Sequence, residues 1–240
     1  MPGITIFQEA VSSYSTGGGS GGNLPCSFTS DNIQGNIGLA FILADSGTMT
    51  DVDDSNLNLW YQLPGFTTEV GFIAVWTCPI LFSGANTITA HGLTESATGG
   101  PNLVIIEITP PPCPLGMVGI QCFQPNLQGD YFDPQLEFSS TYLTTQGAFY
   151  HTLIVALKCG PTSSSGTVRT WSMTPNPNFI DFDIIIQYTE PTGTATGAVG
   201  FCTVPYPNMG NSVEFNYSPS TPVINPGETW LVGVLFSTVS

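Results

Sequence analysis

The densest group of potential ligands in this chain is acidic: Asp45, Asp51, Asp53 and Asp54 crowd one polar stretch, with Ser55 and Asn56 beside them. Hard cations such as calcium take roughly six to eight oxygens from a flexible loop, so Asp51, Asp53 and Asp54 are the candidate metal ligands and calcium the candidate cofactor. The same residue types are what a β-turn uses to satisfy its own backbone, and the spacing is not that of an EF-hand. A plain solvated turn is the preferred reading. Asp130 and Asp133 make a second acidic loop around Tyr131-Phe132. Paired carboxylates hydrolyse glycosides only at a set separation across a sugar, which linear spacing does not supply. His91 ends one strand-like run and His151 begins another. A triad needs a nucleophile and a carboxylate around one of them, and no nucleophile elbow on a strand-to-helix turn is present. No catalytic residue is assigned, and the chain reads as a non-enzyme.

Binding chemistry is better served by the aromatics. Trp60-Tyr61, Trp76, Trp171, Tyr206 and Tyr217 include rings that must point outward if strands alternate. Flat rings flanked by Asn, Gln and Asp can stack on sugars, so Trp60, Tyr61 and Trp171 are the candidate glycan platform. The bland alternative places Trp60, Trp76 and Trp230 in the core. Arg169 and Trp171 share a strand face at i, i+2, the spacing of a cation–π pair. Six cysteines leave many pairings open. Cys113 and Cys122 bracket a Pro/Gly loop and are the candidate disulfide, whereas Cys159 and Cys202 sit inside strand-like runs as small hydrophobes. No C-x-x-C spacing suggests zinc or an iron–sulfur cluster.

These residues must be carried by strands, because helical periodicity with caps is absent. Ile37 to Leu43 is short, apolar and preceded by Gly35-Asn36, the look of a buried strand delivered by a tight turn. Similar runs recur at Ile4–Val11, Leu24–Ser30, Leu57–Leu63, Gly71–Thr77, Thr87–His91 and Asn102–Thr109. After a Pro-rich stretch from Pro110 to Pro134 they resume at Leu136–Leu143, Thr152–Lys158, Val168–Met173, Phe182–Tyr188, Ala198–Val204, Val213–Tyr217 and Trp230–Val239. Many short strands at this spacing predict two packed antiparallel sheets, an all-β, jelly-roll-like sandwich with almost no helix. No second core separated by a linker is evident. The expectation is one domain over 1–240, with 1–22 a candidate N-terminal arm plus Gly-rich loop and 110–134 a long loop.

Charge excludes several functions. Only 8% of residues are charged, against about 25% in ordinary soluble domains, and Lys158 and Arg169 are the only bases, for a formal net charge of -15. Nucleic-acid binding needs several phosphate-neutralising bases, and attachment to an anionic membrane needs a basic cluster; neither partner is expected. Trypsin has almost nothing to cut, which suits a protein outside cells. No run approaches the ~18 apolar residues of a membrane helix. Met1-Pro-Gly-Ile-Thr-Ile-Phe has no basic n-region, so assembly in the cytoplasm, or a leader already removed, is the reading.

The order of motifs also carries a resemblance. The motifs are a Ser27-Phe-Thr-Ser30 step, Gln34-Gly-Asn before an apolar strand, Thr50-Asp-Val-Asp-Asp-Ser-Asn56 before an aromatic one, Gly84-Ala-Asn-Thr-Ile-Thr89, Leu103-Val-Ile-Ile-Glu107, and a closing Thr229-Trp-Leu-Val-Gly-Val-Leu-Phe236. Together they resemble a jelly-roll-like sandwich domain of unassigned function found in bacterial cell-surface proteins and tailed-phage genomes. The likeness covers nearly the whole chain in order, but departs from the pattern at Thr109-Pro-Pro and in the Pro110 to Pro134 stretch. It implies a fold and no site residues. Two functions are expected from it and from composition. One is a structural protein on the exterior of a virion (capsid decoration, head fibre or tail-associated), partnered by other virion proteins and by its own copies. The other is an extracellular or cell-surface bacterial adhesion or carbohydrate-binding module, partnered by a glycan. Free thiols would favour the first and disulfides the second.

Overall fold

In the computed structural model, the described residues are 4–13, 22–44, 48–67, 72–94, 102–110, 118–123, 135–137, 148–159, 169–174, 180–189, 196–205, 212–219 and 229–239. Side chains are described chiefly up to Pro110. Every described element is a β-strand, and every strand pair is antiparallel. The expected all-β antiparallel sandwich is what the chain forms. Where the sequence reads as one sandwich over 1–240, the strands gather into two compact units, one built on Thr5–Thr109 and one on Pro110–Thr189 and Thr196–Ser240.

The first unit contains β1 (Thr5–Ser13), β2 (Gly22–Ser27), β3 (Ile37–Ala44), β4 (Val52–Asp54), β5 (Tyr61–Thr67), β6 (Phe72–Pro79), β7 (Thr87–Leu93) and β8 (Asn102–Thr109). They form a five-stranded sheet in the order β1-β8-β3-β6-β5 and a three-stranded sheet in the order β2-β7-β4. First pairs with last, second with seventh, third with sixth. That is a long antiparallel hairpin rolled over on itself, which is the jelly-roll winding. The candidate arm is therefore committed locally: β1 is an edge strand of its own sheet, in register with β8 from Thr5↔Thr109 to Ser13↔Asn102.

The second unit contains β9 (Val118–Phe123), β10 (Gln135–Glu137), β11 (Ala148–Cys159), β12 (Arg169–Thr174), β13 (Ile180–Thr189), β14 (Thr196–Pro205), β15 (Ser212–Pro219) and β16 (Thr229–Val239). Its sheets run β13-β14-β11-β16-β9 and β10-β15-β12. Renumbered from its own first strand, this is the order of the first unit. The chain is thus one winding used twice, and β9 supplies the opening strand inside the Pro110 to Pro134 stretch, where the sequence predicts a long loop.

Packing in the first unit follows from the strands' composition. Ala40, Ile42, Ala74, Trp76, Leu103 and Ile105 point from the large sheet to Leu24, Cys26, Val52, Ile88, Ala90 and Leu93 of the small one. The alternate residues of β3 and β8, among them Leu39, Phe41, Val104 and Ile106, are buried too. Strands buried on both faces read as continuous apolar runs rather than alternating ones, which is why β3 and β8 were legible. Each fully buried Leu, Ile or Phe contributes about 1.5–3 kcal/mol relative to exposure.

Most strand ends shift by a few residues from the expected ones, and two differences in the first unit change the reading of the site. Val52–Asp54, read as part of a polar turn, is a short strand paired with Thr89 and its neighbours. Leu57–Leu63, read as a strand, begins as a loop: Leu57 has φ of 62° and strand pairing starts only at Tyr61. The alternation of Leu57 and Leu59 is real, but the backbone there wraps around a buried carboxylate. Pro64 lies within β5, at a register shift between Leu63 and Phe66. An edge strand tolerates the missing donor.

Candidate functional site

Both ends of the first sandwich can be assigned from its loop contacts. The segments after β2, β4 and β6 meet at one end. There Phe28 N donates to Asn86 O, Asn32 bridges Gly84, and Gly35 N donates to Ile80 O. The segments after β3 and β7 meet at the other, where Thr50 N donates to His91 O and Thr94 N to Thr48 O.

The first end is built on two buried carboxylates. Glu107 lies on β8 facing the inter-sheet space, opposite Gln8 on one side and Gly38 on the other. It is fully buried. Its Oε1 accepts from Ile33 N at 2.8 Å and Asn36 Nδ2 at 2.7 Å, and its Oε2 accepts from Gln8 Nε2 at 2.5 Å and from Asn32 Nδ2. Gln8 Oε1 in turn accepts from Ser30 N. One carboxylate thereby fixes the whole connection from β2 to β3.

Asp54 performs the same service for the other two connections. It ends β4, is buried, and accepts five hydrogen bonds: Asn56 N and Asn58 N on Oδ1, and Asn58 Nδ2, Trp60 Nε1 and Asn86 Nδ2 on Oδ2, all between 2.9 and 3.1 Å. Asn58 Oδ1 passes the connection on, accepting Leu81 N at 2.8 Å and Phe82 N at 3.0 Å. Asn86 Oδ1 accepts Ser55 Oγ. A buried charge is costly unless hydrogen bonds replace its water. Here backbone, amide and indole N–H groups do so, and among the described residues no base takes part in either set of contacts.

The consequence is an inverted surface. The amides that could bind a ligand, Asn32, Asn36, Asn58 and Asn86, are buried, while Leu57, Leu59, Phe82, Leu81 and Ile33 are 81%, 62%, 56%, 49% and 45% exposed. A leucine in the left-handed region costs about 1–2 kcal/mol, and strain of this kind persists only where surroundings over-determine it. The Asp54 contacts to Asn56 N and Asn58 N are what hold Leu57 there.

The predicted ligands do not converge. Asp53 and Asp54 are consecutive on β4 and face opposite sides, as the pleat requires. Asp54 turns inward, whereas Asp53 is exposed with Oδ1 2.9 Å from His91 Nε2, and Asp51 is exposed beside Thr50 Oγ1. Among the described residues no group of three His, Cys, Asp or Glu is placed to hold a metal. Trp60 is a strut, its Nε1 on Asp54 and its ring against Gly38, where an added Cβ would come within 3.0 Å of the ring. Trp76 is in the core, and Tyr61, 56% exposed, stands on edge strand β5. Trp171 pairs Tyr217 and Arg169 pairs Pro219 along β12 and β15, with side chains outside the described set. Asp45, Asp130, Asp133, Tyr206 and Cys113 lie outside the described residues, as does the side chain of Cys122. The proposed disulfide is thus beyond description. Cys26 and Cys78 are free, buried thiols, both pushed up to about 12, chiefly by burial.

Sequence reasoning passed over Gln8, Asn32, Asn36, Asn58, Asn86 and Glu107 as functional groups. The signal was there: a lone Glu inside Leu103-Val-Ile-Ile-Glu-Ile108, and an Asn directly before β3 and before β7. Compared with known family models, curated proteins and solved structures, the chain matches none.

Proposed function

We propose that this chain is a non-enzymatic structural protein of a virion surface that works through protein–protein contacts. The observation that carries the reading is the loop end, where four asparagines are buried in service of the fold and five large apolar side chains face out among exposed polar residues such as Asp31, Gln34 and Ser83. Exposed apolar side chains set among polar ones suit a protein partner. Jelly rolls serve viral capsids and lectins alike, so fold alone only sets a prior. The low charge and near absence of trypsin sites agree with packing in an exterior shell.

The test is proteomics across a density gradient of the source material. Co-sedimentation with DNA-containing particles, at a fixed ratio to a capsid protein, is expected, and the copy number would separate decoration from tail. Recovery only in soluble or envelope fractions would overturn the virion reading. Saturable glycan binding lost on Tyr61→Ala would put the adhesion module in its place.

A further inference from the structure

We infer that the loop end of the first unit, formed by the segments after β2, β4 and β6, is a self-association surface that takes a second copy of this chain. The inference rests on the reading of the protein as one that acts through protein contacts, and it names the partner.

Charge is the first argument. The three segments 28–36, 55–60 and 80–86 contain a single charged residue, Asp31. By sequence, the segments joining β3 to β4, β5 to β6 and β7 to β8 carry Asp45, Asp51, Glu69 and Glu95, while the one joining β1 to β2 carries no charge. The same division recurs in the second winding. There the segments 138–147, 175–179 and 206–211, which join the equivalent strands, contain no charged residue, while Asp130, Asp133, Glu190 and Glu228 lie in alternate ones. A chain of net charge -15 repels its own copies. Contact through this loop end brings one exposed charge per copy, Asp31, toward the partner, with Asp54 and Glu107 buried beneath, and keeps the acidic segments of alternate connections out of the contact. A basic partner would instead be drawn to the acidic end, and an anionic membrane would repel the chain.

The edges supply the second argument. Open strands are the usual route by which β-proteins pair, and three edges of the first unit are blunted. Edge strand β1 has a register shift at Phe7, β2 carries Pro25, and β5 carries Pro64 at its own shift. Association through strand addition is thus disfavoured.

Area is the third. Five apolar side chains, each about half to four-fifths exposed, present on the order of 500 Å² per copy, so a two-fold contact reaches the ~1,000 Å² that a specific interface needs. Three loops pinned by Asp54 and Glu107 lose little further freedom on docking, which preserves affinity. A self-complementary patch is what a two-fold pair requires.

The experiment is sedimentation velocity of the purified full chain over a concentration series, for wild type, Leu57→Asn, Phe82→Ser and Phe7→Ser. Wild type is expected to show a concentration-dependent dimer or higher species that strengthens as salt screens the net charge. Leu57→Asn and Phe82→Ser are expected to weaken it by about tenfold or more. Both side chains are exposed, and asparagine tolerates the left-handed backbone, so melting temperatures should not fall. Phe7→Ser, on β1, should leave association unchanged. A wild type monomeric at every concentration overturns the proposal, as does association lost in Phe7→Ser and kept in the two loop variants. Sedimentation of monomer with phosphatidylcholine vesicles, abolished by Phe82→Ser, would assign the patch to lipid instead and equally overturn it. None of these outcomes depends on the gradient experiment, so the virion reading and the self-association surface stand or fall separately.

Discussion

The two ends of the first sandwich use the same residue type for opposite purposes. At the loop end Asp54 and Glu107 are buried, and between them they accept nine hydrogen bonds, six from side chains and three from backbone N–H groups, that rigidify three connections. At the other end Asp51 and Asp53 face water, and Asp53 touches His91. Asp53 and Asp54 are neighbours in sequence, yet one is a surface charge and the other a structural pin. What separates them is the pleat of β4, which sends consecutive side chains to opposite faces. Composition therefore says how many carboxylates a chain has, whereas burial says what each one does.

The largest effect should come from Glu107→Gln. The amide cannot accept at both ends, so two of its four donors lose their partner inside the core. A destabilisation of about 3 kcal/mol or more is expected in denaturant unfolding. Asp54→Asn, at about 2–3 kcal/mol, should come next and also increase amide exchange at Leu81 and Phe82. If either change costs under about 0.5 kcal/mol, the contrast between pinned and solvated ends fails.

Gly38→Ala tests the packing beneath the same end. The new methyl would lie 3.0 Å from Cys78 Sγ and from the Trp60 ring, and a loss of about 1–3 kcal/mol is expected from overpacking. An unchanged melting temperature would mean that Trp60 is not a fixed strut. The thiols sharpen the point by titration. Cys26 and Cys78 have folded values raised from 9.0 to about 12, so the fold favours the neutral form. Their contribution is fully present below about pH 9 and is lost as pH rises toward 12. Native protein should resist iodoacetamide at pH 8 at both positions while unfolded protein reacts. Rapid native labelling of Cys78 would place it at an opening rather than in the core.

The smallest effect belongs to the exposed end. Asp53→Asn removes a carboxylate that is 65% exposed and its contact with His91, and a change within about 0.5 kcal/mol is expected in thermal melts. A large loss would show that the two ends are held by similar means after all.

Much of this fold was legible because apolar content and period decide class. Ile37–Leu43 and Asn102–Thr109 are continuous apolar runs, and such runs between Gly, Pro and Asn punctuation have few alternatives to a buried strand. The candidate site was far less legible. Leu57 and Leu59 alternate like strand residues, and only the closure of Asn58 and Trp60 onto Asp54 turns them into an exposed loop. The doublet Gly35-Asn36 and the Asn86 before β7 marked turns, but not the distant partners that those asparagines hold. The repetition stayed hidden because winding is set by which strands pair across long separations, and many sequences satisfy one strand order. Strand class, low charge and the absence of a basic patch were thus determined by residue types alone, since they depend on local period and on counting. Which aspartate turns inward, which asparagines serve a carboxylate and how two windings divide one chain were decided only by tertiary structure, because each depends on residues brought together from tens of positions apart.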